Sequence, residues 1–231
     1  MNKELALAEL LGVLCGDGCL SISRRTSHTA YCVYCCGNKL KDKQYMKQYV
    51  PRLFRIVFGK TLKAKERTDE NVIYIRTSDK ELFTKLHALG LPVGKKYAFL
   101  CIPDFALKTT ARQLAFARGV FDTDGCVVLS KQHRVHGYYP RIEITSKSFP
   151  FLKQVFSVLK QCSFNGSISK KGKDCYRLEL AGFKNLTLWR SLIGSSNTRN
   201  LLKIHEANKK YINAAKASPY ICPGSSAVER A

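Results

Sequence analysis

Two Asp-Gly pairs, beginning at Asp17 and Asp124, carry the most informative chemistry in this sequence. Each pair follows an apolar segment with helical periodicity and opens a strand-like segment. A carboxylate at a helix C-terminus is disfavoured by ~0.3–1 kcal/mol, because free carbonyl groups and the helix dipole are negative there. Bound divalent cations would remove that cost. Both carboxylates, with the carbonyl oxygens of Gly16 and Thr123, are hard ligands suited to Mg²⁺, for which Mn²⁺ could substitute.

A single Asp-Gly pair is also a common turn, so the duplication of the pair decides between the two readings. The segment LLGVLCGDGC, ending at Cys19, matches ARGVFDTDGC, ending at Cys126, at an offset of 107 residues. A later match between Gly90 and Gly194 has an offset of 104 residues. The order of the matches is kept while the offset drifts. This pattern indicates a diverged tandem duplication and favours a metal site over two unrelated turns.

Both halves predict the same order of elements, αββαββα. The first half predicts a helix over 3–16, strands over 19–25 and 29–37, a helix over 41–57, a hairpin over 61–67 and 71–77, and a helix ending at Gly90. The second half predicts a helix over 111–123, strands over 126–133 and 138–146, a helix over 148–162, a hairpin over 166–171 and 174–181, and a helix over 183–193. The fold class is therefore α+β, with two four-stranded antiparallel sheets.

This order also predicts the organisation of the chain. Residues 1–90 form an N-terminal half, 91–110 a proline-containing linker, 111–215 a C-terminal half and 216–231 a flexible tail. Small residues spaced four apart occur in each leading helix, as Gly12 and Gly16 and as Gly119 and Thr123. They predict that the two helices pack directly against each other at the centre. A parallel crossing would bring the two aspartates together, where their charges repel.

The charge of the chain predicts a polyanionic partner. Its 39 basic and 17 acidic side chains give a formal net charge of +22, which favours nucleic acid. In 141–147 the polar residues alternate with Ile142 and Ile144, as in a sheet with one buried face. Candidate DNA contacts on such faces are Ser21, Ser23, Arg25, Arg76, Ser130, Arg141, Glu143, Thr145, Lys147, Lys170 and Arg177. We expect no membrane partner, because no apolar run reaches ~20 residues. The start does not read as a secretion signal, which predicts an intracellular protein of a prokaryotic cytoplasm or an organelle matrix.

The segments LLGVLCGDG and ARGVFDTDG resemble the two signature motifs of the LAGLIDADG homing endonucleases, in their single-chain, pseudo-dimeric form. The resemblance implies a monomer with pseudo-two-fold symmetry, whose two sheets form a saddle on duplex DNA. It also implies metal-dependent cleavage of both strands across the minor groove, at a long asymmetric target. The last acid of each motif falls on Asp17 and Asp124. At the sixth motif position, where the family often has an acid, the chain has Cys15 in one copy and Asp122 in the other.

Such enzymes carry basic side chains around the metals, and Lys95 and Lys96 are the candidates in the first half. Arg199 and Lys203 are their expected counterparts in the second half. Two alternatives on the same fold are a maturase that binds its own intron RNA and a non-catalytic DNA-binding protein. Degenerate relatives usually lose a motif acid, and this chain keeps both. Maturases can retain both acids as well, so cleavage and intron binding are not exclusive.

Overall fold

The computed structural model describes residues 1–24, 29–130 and 139–217, with side chains to residue 209. The N-terminal half comprises α1 (Lys3–Asp17), β1 (Gly18–Arg24), β2 (Thr29–Asn38), a π-helical turn (Tyr45–Tyr49) leading into α2 (Val50–Phe58), β3 (Ala64–Glu66), β4 (Val72–Thr77) and α3 (Lys80–Ala88). The C-terminal half comprises α5 (Thr110–Asp124), β5 (Gly125–Ser130), β6 (Tyr139–Ser146), α6 (Phe149–Gln161), β7 (Ser167–Lys170), β8 (Tyr176–Ala181), α7 (Phe183–Leu192) and α8 (Thr198–Ala217). A short helix, α4 (Asp104–Leu107), lies between the halves.

Each half contains one four-stranded antiparallel sheet, with strand order β1-β2-β4-β3 and β5-β6-β8-β7. The two sheets begin at equivalent positions, since Gly18 pairs with Cys35 and Gly125 pairs with Ile144. Alternate strand residues face the helices and form the core, and the other face of each sheet carries most of the polar side chains. The predicted α+β fold with tandem αββαββα repeats is confirmed.

The leading helices α1 and α5 make direct backbone contact along the centre of the molecule. A Cβ atom on Gly119 would overlap the carbonyl oxygen of Glu9 and lie 2.8 Å from the nitrogen of Val13. A Cβ atom on Gly12 would overlap the Phe116 carbonyl oxygen. Glycine at these two positions is therefore what lets the helices approach, and the approach fixes the ends of both helices relative to each other.

Substituting Gly119 tests this backbone contact. Gly119→Ala should lower the free energy of unfolding by about 2–3 kcal/mol, because the added methyl group overpacks a rigid backbone. An alanine in an ordinary helix position would instead gain about 1 kcal/mol. The expected loss corresponds to a thermal midpoint about 5–10 °C lower, measured by circular dichroism. Gly16→Ala is the comparison and should lose less, since the obstructing atoms are those of the Thr123 side chain. A Gly119→Ala variant as stable as wild type would show that the backbones do not touch.

Three local features depart from the predicted elements. Helix α8 was not predicted, although Ile204 and Ala207 are buried at helical spacing and Asn197 Oδ1 accepts a hydrogen bond from the Arg199 nitrogen at 3.1 Å. The linker contains α4, and the helix expected over 41–57 contains the π-helical turn. The strand ends predicted at residues 25, 131–133 and 138, and the tail from residue 218 onward, lie outside the described residues. Within the described ranges, no helix is long and apolar enough to cross a lipid bilayer.

Candidate metal centre and nucleic-acid interface

The central helices place the two motif aspartates near each other, at the C-terminal ends of both helices. Asp17 is the last residue of α1, and Asp124 is the last residue of α5. The Asp124 carboxylate lies against the end of the opposite helix, since a Cβ atom on Gly16 would be 3.1 Å from Asp124 Oδ2. The same Cβ atom would overlap the Thr123 hydroxyl. The direct helix contact therefore brings together the four residues expected at the metal site.

The electrostatics at these helix ends are unfavourable for two carboxylates. Burial raises the pKa of Asp124 to about 7, the Asp17 charge adds to this, and the Lys96 charge opposes it. Burial likewise raises the pKa of Asp17 to about 6, with opposition from Lys96 and a further increase from Asp42. Within the described part of the chain, neither carboxylate has an ion-pair or hydrogen-bond partner. The negative charge of the pair is therefore only partly compensated.

Lys96 supplies the nearest positive charge. Its ammonium group donates hydrogen bonds to the carbonyl oxygens of Gly16, of Gly18 at 2.8 Å and of Leu14 at 3.4 Å. Of these three groups, the Gly16 carbonyl belongs to the last turn of α1, which leaves its carbonyl groups without helical donors, whereas the Leu14 carbonyl oxygen already accepts from the Gly18 nitrogen. Lys96 therefore lies at the helix terminus, where its charge acts on both carboxylates. Lys95 is exposed.

The equivalent position in the second half is occupied by an asparagine. The repeat offset of 104 residues pairs Lys96 with Asn200, whose Nδ2 lies 3.2 Å from the Phe121 carbonyl oxygen and 3.4 Å from that of Gly125. Asn200 thus caps the end of α5 as Lys96 caps the end of α1. Lys203, the expected counterpart, is exposed on α8. Arg199 instead pairs with Asp42, at 3.4 Å between Nη1 and Oδ1.

The donor set fits a magnesium ion. Asp17 and Asp124 offer two carboxylates, and Gly16 and Thr123 offer main-chain carbonyl oxygens at the same helix ends. Magnesium typically binds through one or two carboxylates and completes its octahedron with waters and substrate phosphates. The described residues contain no group of three or more His, Cys, Asp or Glu side chains that could hold a metal. The arrangement therefore suits an ion shared with a phosphate group.

Asp122, at the sixth motif position, has a different environment from Asp124. It is buried, and it accepts hydrogen bonds from the Ser195 hydroxyl and from the Ser196 nitrogen at 2.7 Å. Burial raises its pKa to about 7. Asn197 ties the same segment to the first half through Asp42 Oδ1 at 2.8 Å. This polar network, which the sequence did not reveal, holds the start of α8 against both halves.

The strand register places most of the predicted DNA contacts on the two open sheet faces. Ser21, Ser23 and Arg76 share the face of the N-terminal sheet that points away from the helices. The corresponding face of the C-terminal sheet carries Ser130, Arg141, Glu143, Thr145 and Arg177.

The remaining three predicted contacts are not placed on these faces. Lys170 pairs with Tyr176, so the strand alternation puts Lys170 on the helix-covered side. Lys147 follows the end of β6, and its ammonium group lies 5.4 Å from the centroid of the Tyr97 ring. Arg25 lies outside the described residues.

The open face of the C-terminal sheet holds a quartet of alternating charges. Glu143 Oε1 lies 3.5 Å from Arg141 and 3.4 Å from Arg177. Glu179 Oε2 lies 3.6 Å and 3.4 Å from the same two guanidinium groups. Pairing fixes the direction of both arginine side chains before any ligand arrives. Pre-oriented guanidinium groups suit contacts with guanine edges in a major groove.

Comparison with known proteins agrees with this geometry. The family model for a LAGLIDADG-like domain matches residues 111–194. No curated protein sequence matches the chain. The first half has the same strand order as the matched segment, although the family model does not extend over it.

Solved structures of homing endonucleases share the fold of most of the chain. I-DmoI in complex with DNA and Ca has a TM-score of 0.65 at 17% identity, covering 90% of this chain and 100% of I-DmoI. I-DmoI with DNA and Mn has a TM-score of 0.62 at 19% identity, covering 83% and 97%. The meganuclease I-SmaMI, bound to uncleaveable DNA, has a TM-score of 0.58 at 13% identity and covers 98% of each chain. The similarity of fold to these endonucleases therefore extends over both halves.

The raised pKa of Asp124 predicts how metal-free stability depends on pH. The folded-state pKa of about 7 exceeds the ordinary aspartate value of 3.8, so the folded state binds more protons. The contribution of protonated Asp124 to the free energy of unfolding is therefore complete below about pH 4 and is lost as the pH rises through 7. Asp124→Asn should raise the free energy of unfolding in chelator at pH 8 by about 2–4 kcal/mol, since one pKa unit corresponds to about 1.4 kcal/mol.

Thermal unfolding of both proteins at pH 4 and pH 8 measures this difference. The variant and the wild type should have similar midpoints at pH 4 and separate as the pH rises. Equal midpoints at pH 8 would mean that the Asp124 carboxylate carries no unfavourable charge in the folded protein.

Proposed function

We propose that the protein is a metal-dependent DNA endonuclease that cuts both strands of a long, asymmetric duplex site. The observation that carries the proposal is the pair of partly buried carboxylates of Asp17 and Asp124. They meet at the junction of two similar halves, and no side chain of the described residues neutralises either one by an ion pair. The fold supports the proposal, because relatives with this fold were solved with DNA and with Mn or Ca.

The bound cation would supply Lewis-acid chemistry, activating a water and stabilising the leaving oxygen. Asp17 and Asp124 would hold it, with main-chain oxygens of Gly16 and Thr123 completing the protein side. Lys96 lies close enough to act on both carboxylates and would offset negative charge at the phosphate. One aspartate from each half gives one hydrolytic position for each strand of the duplex.

The sheets would provide affinity and base choice. A net charge of +22 favours phosphate contacts, which make binding strongly dependent on salt. The two open faces differ in composition, with Ser21, Ser23 and Arg76 on one and the arginine–glutamate quartet on the other. Because the halves have diverged in this way, the preferred site would be asymmetric. One chain supplies both halves, so a monomer is sufficient.

The experiment that tests the proposal uses selection followed by cleavage. Duplexes bound in Ca²⁺ are selected from a randomised library, and the enriched sequences are then incubated with Mg²⁺ or with EDTA. Cleavage of both strands in Mg²⁺ alone supports the proposal. Enriched duplexes that stay intact in Mg²⁺ and Mn²⁺ would support the non-catalytic DNA-binding alternative. If no duplex is enriched and the intron RNA is bound, the maturase alternative replaces the proposal.

A further inference from the structure

We propose that Lys96 acts as a built-in cation at the α1 end of the metal centre, so that the two halves of the centre bind divalent cations with unequal affinity. The inference rests on the proposed function, because it concerns the same pair of aspartates. It goes beyond that function because it attributes a difference in cation affinity between the α1 and α5 ends of the centre to one pair of equivalent residues, Lys96 and Asn200.

The first step is the position of the ammonium group. Lys96 Nζ has three donors, and it is within hydrogen-bond distance of three carbonyl oxygens, those of Leu14, Gly16 and Gly18. The Gly16 carbonyl oxygen is also one of the expected ligands of the metal ion. An ammonium group on this oxygen therefore competes directly with a divalent cation, both for the ligand and for the negative charge around it.

The second step is that the backbone holds Lys96 in this place. The Gly94 nitrogen donates to the Leu20 carbonyl oxygen at 2.7 Å. Val93 forms an isolated bridge with Leu20, parallel to β1. The segment before Lys96 is thus attached to the strand that follows Asp17. These backbone contacts hold the segment in place, so the fold itself brings the Lys96 ammonium group to the end of α1.

The third step is the contrast with the second half. Asn200 lies near the Phe121 and Gly125 carbonyl oxygens, which are the repeat equivalents of those of Leu14 and Gly18. Its amide group is neutral and adds no positive charge at the α5 end. The fold therefore requires a hydrogen-bond donor at this position, but it does not require a positively charged side chain. The hydrogen bonds of Lys96 are to carbonyl oxygens at the α1 end, so its ammonium group weakens cation binding most at that end, although its charge also reaches Asp124.

The test compares Ca²⁺ binding by the full chain without DNA, measured by isothermal titration calorimetry. Lys96→Asn, which copies the second half, should bind Ca²⁺ about 10-fold more tightly than wild type. Asn200→Lys should bind about 10-fold more weakly. Lys95→Asn is the matched control, because it removes the same charge from an exposed neighbour, and it should change the affinity by less than about 2-fold.

Thermal unfolding gives a second readout and a folding check. Lys96→Asn should have a lower midpoint than wild type in EDTA and a larger increase on adding Ca²⁺, because the built-in cation is gone. Lys96→Arg keeps the charge and should behave like wild type. Equal Ca²⁺ affinities for Lys96→Asn and Lys95→Asn would overturn the inference.

The failure of this inference can be distinguished from the failure of the proposed function. An Asp17→Asn/Asp124→Asn double variant should lose Ca²⁺ binding. If it does, and Lys96→Asn still binds like wild type, only the role of Lys96 is wrong. If the double variant binds Ca²⁺ as wild type does, or wild type binds none, the metal centre itself is wrong and both proposals fail.

Discussion

Replacing Asp17 or Asp124 with asparagine should lower Mg²⁺-dependent DNA cleavage by at least about 10³-fold, the scale of losing an essential electrostatic group. An amide has nearly the shape of a carboxylate but carries no charge to bind the cation. DNA affinity should stay within about 3-fold of wild type, because phosphate contacts elsewhere dominate binding. Cleavage of supercoiled plasmid carrying the selected site, and mobility shift in Ca²⁺, measure the two quantities.

Asp104→Asn is the control for this pair of variants. Asp104 is exposed at the start of α4 and is not among the charges that shift the pKa of Asp17 or Asp124, so its loss of charge should leave the cleavage rate within about 2-fold of wild type. Undiminished cutting by both Asp17→Asn and Asp124→Asn would reject the assigned centre. Loss of DNA binding in step with cleavage would instead mean that the two aspartates hold the halves together and have no separate chemical role.

The tandem repeat explains why so much of the fold was predictable. Once the Asp17 and Asp124 segments are aligned, each half predicts the other, and hydrophobic periodicity locates the strands and helices. Direct contact between α1 and α5 also follows, because small residues recur at matching positions. Helix α8 has no equivalent helix in the first half. The repeat therefore gives no signal for it, and only the spacing of its buried residues could have revealed it.

The sequence predicted the site only in part, because some of its residues contact residues that are far away in the sequence. Lys96 was predicted as a basic residue of the site because it lies only a few residues after the end of the first half. Asn200 is neutral, and only the repeat offset, applied strictly, leads to it. The sheet face of Lys170 could not be predicted from the sequence, because a strand in the hairpin can start in either register, and one residue of shift moves every side chain to the other face. The register seen here puts Ser169 beside Arg177 and leaves Lys170 beside Tyr176.

A buried ion pair was the least predictable feature. Glu9 lies in the middle of an apolar helix, and its partner Arg118 is 109 residues away in the sequence. Neither the position of these two residues in the sequence nor the residues beside them indicates that they form an ion pair. In the structure the glutamate is fully buried, and the Ser196 hydroxyl donates to its Oε1 at 2.7 Å. A charge in such a place is tolerated only when its partners are all present.

Arg118→Met should therefore lower the free energy of unfolding by about 3–5 kcal/mol, because it leaves the buried Glu9 carboxylate without its ion-pair partner. Arg118 Nη2 lies 2.6 Å from Glu9 Oε2, and Nη1 donates to the Ile193 carbonyl oxygen at 3.3 Å. Urea denaturation followed by circular dichroism measures the loss. The double variant Glu9→Gln/Arg118→Met should recover part of it, since no uncompensated charge remains.

Arg112→Met is the matched control on the same helix. Arg112 is itself 12% exposed and lies 4.2 Å from the centroid of the Phe105 ring, but its partner Glu4 is 59% exposed. Because water can solvate the Glu4 carboxylate, loss of this pair should cost less than about 1 kcal/mol. A large difference between the two arginine variants would show that burial of the glutamate determines the effect. Equal and small losses would mean that water reaches Glu9. In that case the contact between α1 and α5 would be more open than the glycine positions require, and the separation of the two aspartates at its end would no longer be fixed by packing.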